Sequence, residues 1–128
     1  MSYYFSKILN VSFDETISKA IEELKKEGFG VLADIDVQAT LKKKLDVNFR
    51  KYRILGACNP QFAYQALQAE DKIGTMLPCN VIVQEYAEGK IEVAAIDPVA
   101  SMMAIENPGL REVAEKVQMK LKKVIDSL

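Results

Sequence analysis

The sequence contains no histidine and no tryptophan among its 128 residues. Without histidine, the chain can form neither a Ser-His or Cys-His catalytic pair nor an imidazole ligand for a metal. No apolar run approaches the roughly 18 residues that a membrane-spanning helix needs. The nearest approach to a glycine-rich nucleotide loop, Gly28-Phe29-Gly30, has the wrong spacing. Kinase and hydrolase signatures are also missing. These absences exclude several classes of enzyme.

The composition is that of an ordinary globular protein, with 49% hydrophobic and 27% charged residues. We expect residues 1–128 to form a single domain whose core needs no metal, cofactor or disulfide to fold. The net charge of −1 predicts neither a nucleic acid nor an anionic membrane as partner. The first residues lack a basic segment followed by an apolar stretch, so we expect a cytoplasmic protein.

Hydrophobic periodicity predicts an α+β fold. Alternating residues indicate strands at about 3–9, 29–36, 49–58, 79–86 and 90–97. Ser12 and Asn107 are N-cap residues before the two long helices, and Asp36 and Asn59 precede two short ones. This order favours one antiparallel sheet with the two long helices packed on one face.

The last two strands form a hairpin around Glu88-Gly89, which sets a register if these two residues are the loop. Ala87 then faces Lys90. The same register pairs Val83 with Ala94, Ile82 with Ala95, Asn80 with Asp97 and Glu85 with Glu92. Both faces of this hairpin carry apolar residues, and one of them needs cover beyond the helices. We therefore expect a homodimer.

Two similar motifs, Ala57-Cys58-Asn59-Pro60 and Leu77-Pro78-Cys79-Asn80, stand out chemically. Cys58 ends one strand and Cys79 begins the next, so antiparallel neighbours would bring both to one sheet edge. The predicted hairpin register adds Asn80 and Asp97 to this group. We therefore predict a site formed by Cys58, Asn59, Cys79, Asn80 and Asp97.

Three functions fit such a group. The thiols could form a reversible disulfide or border a pocket for a small ligand. They could also bind a soft metal such as zinc through Cys58 and Cys79, with two more ligands from Asp97, water or a dimer partner. The simpler alternative is that both cysteines act as small buried hydrophobes, because free cysteine is often buried. Two cysteines are only half of a zinc site, and their spacing is not that of a CxxC motif.

The segment from Lys42 to Arg53 holds six basic residues against one acidic residue. It has the charge to contact an anion, but we find no aromatic residues interleaved with these charges as a single-strand binder requires. We interpret the segment as a solvated face.

The segments Val31–Val37, Tyr52–Pro60 and Leu77–Val81 resemble domain-of-unknown-function family 302. The similarity covers nearly the whole chain, and the Gly-Ala-Cys-Asn-Pro and Leu-Pro-Cys-Asn motifs carry most of it. The resemblance implies a TATA-binding-protein-like β-α-β(4)-α arrangement, used without DNA, and suggests homodimers. It implies no established activity.

We interpret the chain as a non-catalytic binding or sensing module with its site at the two Cys-Asn motifs. One alternative is a thiol-dependent enzyme in which one cysteine attacks and the other resolves. Another is a purely structural or protein-interaction domain in which neither cysteine responds to a ligand.

Overall fold

The computed structural model describes residues 2–128 of the chain. The described part contains strands, helices and one 3₁₀ helix in the following order: β1 Tyr4–Leu9, α1 Phe13–Lys26, β2 Gly30–Asp36, α2 Val37–Leu45, β3 Tyr52–Cys58, α3 Pro60–Ala69, the 3₁₀ helix Asp71–Met76, β4 Cys79–Ala87, β5 Lys90–Ile96, α4 Pro98–Ser101 and α5 Pro108–Asp126.

The five strands form one antiparallel sheet in the order β1-β5-β4-β3-β2. The long helices α1 and α5 pack on one of its faces and on each other, which confirms the predicted α+β fold. Helix α3 packs against α5 beside the end of the sheet. No helix in residues 2–128 combines the length and the apolar character needed to cross a membrane.

Side-chain capping explains where the two long helices begin. Ser12 accepts a hydrogen bond through Oγ from the backbone N–H of Glu15 at 3.1 Å, as the capping motif predicts. Asn107, directly before α5, accepts through Oδ1 from the N–H groups of Gly109 and Leu110 in the first turn of that helix. Both helices then present their apolar stripe to the sheet.

The sheet has one covered face and one open face. Successive strand residues point to opposite sides, so alternate positions meet entirely different surroundings. The covered face carries fully buried residues under the helices: Leu55, Val81, Val83, Val93 and Ala95 are each 0% exposed. Within residues 2–128, α1 and α5 leave the open face uncovered, and most of its side chains are half-buried or exposed, although Ala94 is only 9% exposed.

The predicted hairpin register is wrong by one residue along most of the strand pair. Ala87 faces Lys90 as expected, but a bulge between Glu85 and Ala87 shifts the pairs that follow. Val83 faces Val93, and the other predicted pairs, Ile82 with Ala95 and Asn80 with Asp97, are displaced in the same way.

Charge explains why the bulge is favourable. Without it, Glu85 would face Glu92, two like charges directly opposite one another. With it, Glu85 faces Ile91 and Gln84 faces Glu92. Gln84 Nε2 then donates to Glu92 Oε1 at 2.8 Å, so a repulsive pair is replaced by a hydrogen bond to a charged acceptor.

The basic segment is solvent-exposed, as interpreted, at Lys42–Lys44, Arg50 and Lys51, but Arg50 also makes specific contacts. The Arg50 guanidinium lies 4.3 Å from the centroid of the Phe49 ring and 5.7 Å from that of Tyr52. Its Nε donates to Gln84 Oε1 at 2.7 Å. Aromatic rings therefore do interleave with a basic side chain here, and they fix Arg50 at the margin of the open face. The strand also begins at Tyr52 rather than near Phe49.

Candidate functional site

An apolar cavity of about 280 Å³ lies beside the end of the sheet, between α3, α5 and α4. Ala66 of α3 and Ala114 of α5 form part of its walls, and both are almost fully buried. Ala57 closes it from the sheet, and Met102 closes it after α4. Small alanines on facing helices leave the space that larger side chains would fill.

The wall of this cavity contains no charged residue and a single amide, that of Asn59. Leu32 is 73% exposed and Leu67 is 43% exposed, so these two side chains mark the opening toward solvent. A space with so few hydrogen-bonding groups holds water poorly. The cavity is therefore suited to an apolar molecule.

Both cysteines line the cavity. Strands β3 and β4 are antiparallel neighbours in which Ala57 faces Cys79, so Cys58 stands one residue beyond that pair. Cys58 is half-exposed and Cys79 is buried, and both are free thiols. The expectation that strand order would bring the two motifs to one sheet edge agrees with this geometry.

The two thiols differ in their electrostatics. Burial, and to a smaller extent the neighbouring Cys58, raises the pKa of the Cys79 thiol from 9.0 to about 11. At neutral pH Cys79 is therefore protonated and a poor nucleophile, because the thiolate is the reactive form. An attacking role could belong only to the more accessible Cys58.

Asn59 occupies the N-cap position of α3, but its side chain does not cap that helix. Instead, Nδ2 donates to the backbone oxygen of Glu27 at 3.3 Å. A Cβ at Gly28, whose φ is +87°, would lie 3.0 Å from the same Nδ2. Asn59 thus joins the start of α3 to the end of α1, where glycine allows a close approach.

Asn80 and Asp97 lie outside this cavity. Asn80 directly follows Cys79 in β4 and is exposed on the open face, because neighbouring strand residues point to opposite sides. Asp97 caps α4 by accepting from the N–H groups of Val99 and Ala100. Gln118 Nε2 also donates to both of its carboxylate oxygens, at 3.0 and 3.1 Å. The structure thus brings Cys58, Asn59 and Cys79 together without the other two.

Residues 2–128 contain no group of three or more histidine, cysteine, aspartate or glutamate side chains placed to hold a metal ion. The Asp97 carboxylate, which would have supplied a third ligand beside Cys58 and Cys79, is occupied by its helix-capping and glutamine contacts. A zinc site on one chain would thus have two protein ligands, fewer than the three or four that protein zinc sites use.

The residues that create the cavity were not singled out from the sequence. Phe62, Ala66, Leu110 and Ala114 lie on the apolar sides of α3 and α5, and an apolar pattern in a sequence indicates burial but not incomplete packing. A usable signal was the excess of alanine on the inner side of α3, at Ala63 and Ala66, opposite Ala114.

A second concave region lies on the open face of the sheet and has a different chemistry. This open groove, about 350 Å³, combines polar and aromatic side chains with aliphatic ones. The first group includes Tyr4, Tyr52, Asn80, Gln84 and Glu92, and the second includes Ile82, Ala94 and Ile96. Two of its residues, Gln84 and Glu92, are hydrogen-bonded to each other, and Arg50 donates to Gln84.

Comparison with known proteins agrees with the sequence motifs. Residues 5–128 match the family described as domain of unknown function DUF302. The chain belongs to the DUF302 family. A similar solved structure is the crystal structure of an uncharacterized conserved DUF302 protein from Bacillus stearothermophilus. It shares 29% sequence identity, superposes with a TM-score of 0.90, and the alignment covers 98% of each chain. No curated protein matches the sequence. Membership of the DUF302 family thus establishes the fold and names no activity.

Proposed function

We propose that this DUF302 protein is a binding module for a small, largely apolar molecule. The observation that carries the proposal is the 280 Å³ cavity with its uncharged wall. Its volume is close to the lower end of the range, roughly 300 Å³, at which small-molecule pockets begin. The proposal assigns no reaction to the protein.

The energetics favour an apolar occupant. Burial of apolar surface contributes about 25 cal/mol per Å². A polar ligand would give up its hydrogen bonds to water and find only the Asn59 amide and two thiols in return. Asn59 already donates one of its N–H groups to Glu27. The cavity thus selects against polar molecules more strongly than it selects among apolar ones.

The cysteines supply soft contacts at the wall. Cys79, buried and protonated, packs as a polarizable apolar group, whereas the half-exposed Cys58 lies where a bound molecule meets solvent. This position makes Cys58 the residue through which occupancy would be sensed, because a ligand in the cavity shields its sulfur. We expect ligand to slow the alkylation of Cys58.

The experiment uses benzene as a probe, since an apolar cavity of about 150 Å³ is known to bind it. We expect millimolar benzene to raise the melting temperature of the wild-type protein. Ala66→Phe fills the cavity from α3 and should abolish this rise. Ala69→Phe is the matched control, because Ala69 is exposed on the same helix and does not line the cavity.

If benzene leaves the wild-type melting temperature unchanged, or stabilises Ala66→Phe and wild type equally, the proposal is wrong. Circular dichroism of Ala66→Phe shows whether that variant is folded. If it is not, Ala114→Leu offers a smaller filling substitution from the opposite wall.

A thiol-dependent activity is the second candidate, favoured by the unequal exposure of the two sulfurs. In that case the Cys58 thiolate attacks a disulfide substrate, forms a mixed disulfide and expels the other sulfur as a thiolate. Resolution by Cys79 would be slow, because burial keeps its thiol protonated at neutral pH. Labelling with iodoacetamide at pH 8 should then modify Cys58 much faster than a free thiol in the unfolded chain. Slow labelling of Cys58 would contradict a thiol-dependent activity and leave ligand binding as the remaining candidate function.

A further inference from the structure

A smaller cavity adjoins the 280 Å³ apolar cavity. We call the larger of the two the inner cavity and the smaller one the outer cavity. The outer cavity measures about 140 Å³ and lies between the segment that follows α4 and the first two turns of α5. Three residues, Met102, Leu110 and Ala114, line both cavities. The wall between the two spaces therefore consists of side chains rather than of a strand or a helix.

Met102 is the movable part of this wall. Leu110 and Ala114 belong to the buried stripe of α5 and are fixed by that helix. Met102 lies just after α4, where its N–H donates to the carbonyl oxygen of Pro98 and its own carbonyl accepts from Ile105. Those bonds fix the backbone only. The unbranched methionine side chain has three rotatable bonds and changes rotamer without moving the chain.

We infer that Met102 divides one longer channel, and that the ligand is an unbranched aliphatic chain with a polar end. This inference rests on the proposed function of the inner cavity. An aliphatic chain that displaces the Met102 side chain passes from the inner cavity into the outer cavity, which is also lined by Val99 and Ile105. A compact ligand such as benzene fits the inner cavity alone.

The outer cavity indicates the chemistry of the polar end. Arg111 and Glu115, one turn apart on α5, contribute to its wall and are both exposed. A guanidinium donates hydrogen bonds and a carboxylate accepts them. Since the two charges oppose each other, a singly charged head gains little net attraction, whereas a hydroxyl can both donate and accept. A primary alcohol is therefore the fitting probe.

The experiment measures dissociation constants for a series of 1-alkanols from butanol to octanol by calorimetry. Each added methylene that enters an apolar channel should raise the affinity about three- to fourfold. In the wild type we expect this rise to continue through the series. Met102→Phe puts a stiff ring at the partition, so the rise should stop part-way, at the length that fills the inner cavity.

Met102→Ala removes the partition and should bind octanol at least as tightly as wild type, with the same slope along the series. Met119→Phe is the matched control, because Met119 is 71% exposed on α5 and lines neither cavity. Benzene binding by each variant verifies that the inner cavity is intact. If Met102→Phe does not fold, Met102→Ala still tests the inference, because weaker octanol binding by this variant than by wild type would contradict a partition at Met102.

Equal chain-length dependence in wild type and Met102→Phe would overturn the inference, as would a wild-type series that stops rising once the inner cavity is full. Either result is compatible with benzene and butanol binding in the inner cavity. If no alkanol and no benzene binds the wild type, the proposed function itself fails, and this outcome is distinct from the other two.

Discussion

The covered and open faces of the sheet are built from the same strands and yet offer different chemistry. Under the helices, Val81 and its neighbours are fully buried, and the cavity at that face has no charged wall residue. On the open side, Gln84, Glu92 and the tyrosines border a groove linked to Arg50 through hydrogen bonds. The contrast arises from the two-residue repeat of a strand, which separates Cys79 from Asn80 although they are adjacent in sequence.

This comparison explains why the Cys-Asn motifs are not one site. Each motif reads as a chemical unit in the sequence, but an extended backbone turns every second side chain away. In Leu77-Pro78-Cys79-Asn80, the thiol enters the apolar cavity and the amide enters the open groove. In Ala57-Cys58-Asn59-Pro60, the strand ends at Cys58, so alternation stops and both side chains reach the cavity.

The largest expected effect comes from placing one charge on each face of β4. Val81→Lys puts an ammonium group among fully buried residues and should cost more than about 4 kcal/mol of unfolding free energy. Ile82→Lys puts it on the open face, close to Glu92, and should cost less than about 1 kcal/mol. Urea denaturation of both variants at low protein concentration measures the difference.

Similar losses in the two variants would mean that the open face is covered in solution. A comparable loss at Ile82 only at high protein concentration would point to cover by another chain. Both faces would then be buried, the covered face by the helices of its own chain and the open face by another chain.

The homodimer expected from the sequence stays a prediction, and the open face is where to test it. Apolar side chains remain accessible there, including Tyr4 and Ile8, each 42% exposed. If a second copy covers this face, Ile82→Lys should weaken the dimer at least tenfold and shift the sedimentation coefficient toward that of a monomer. Ile21→Lys is the control, since Ile21 is 37% exposed on α1, away from the sheet. A wild-type protein that sediments as a monomer at micromolar concentration contradicts the prediction.

Much of the fold followed from local signals, because those signals are local in the structure too. Ser12 and Asn107 stand at helix starts, and the strand alternation predicted the position of every strand to within a few residues. The register of the hairpin could not be predicted from the length of its turn. The bulge avoids a repulsive pairing of Glu85 with Glu92, and turn length carries no information about that repulsion.

The candidate site could be predicted only in part for a related reason. Strand adjacency is enough to place Cys58 and Cys79 at the same end of two neighbouring strands. A cavity, by contrast, depends on how closely α3 and α5 pack. That packing is set by the side-chain volumes on two helices about 50 residues apart in sequence. Apolar periodicity marks Ala66 and Ala114 as inward-facing and says nothing about the space between them.

The smallest expected effect concerns the protonation of Cys79, a single buried thiol on the covered face. Burial holds the pKa of this thiol at about 11 in the folded protein, against 9.0 when it is solvated. The folded state therefore keeps the proton over a range in which the unfolded chain loses it. The contribution to stability is complete below pH 9 and is lost as the pH rises toward 11, reaching about 1 kcal/mol of loss by pH 10.

Cys79→Ser removes this titration, so the stability difference between wild type and variant should shrink by that amount between pH 8 and pH 10. The other ionisable groups are common to both proteins, so their contributions cancel in the difference. Cys58→Ser is the matched control on the half-exposed sulfur. Urea midpoints at each pH give the measurement, and a pH-independent difference for Cys79→Ser would show that its thiol meets solvent in the folded state. Solvent would then reach the covered face as far as Cys79 but not the fully buried Val81, and the cavity would open to water at its cysteine wall.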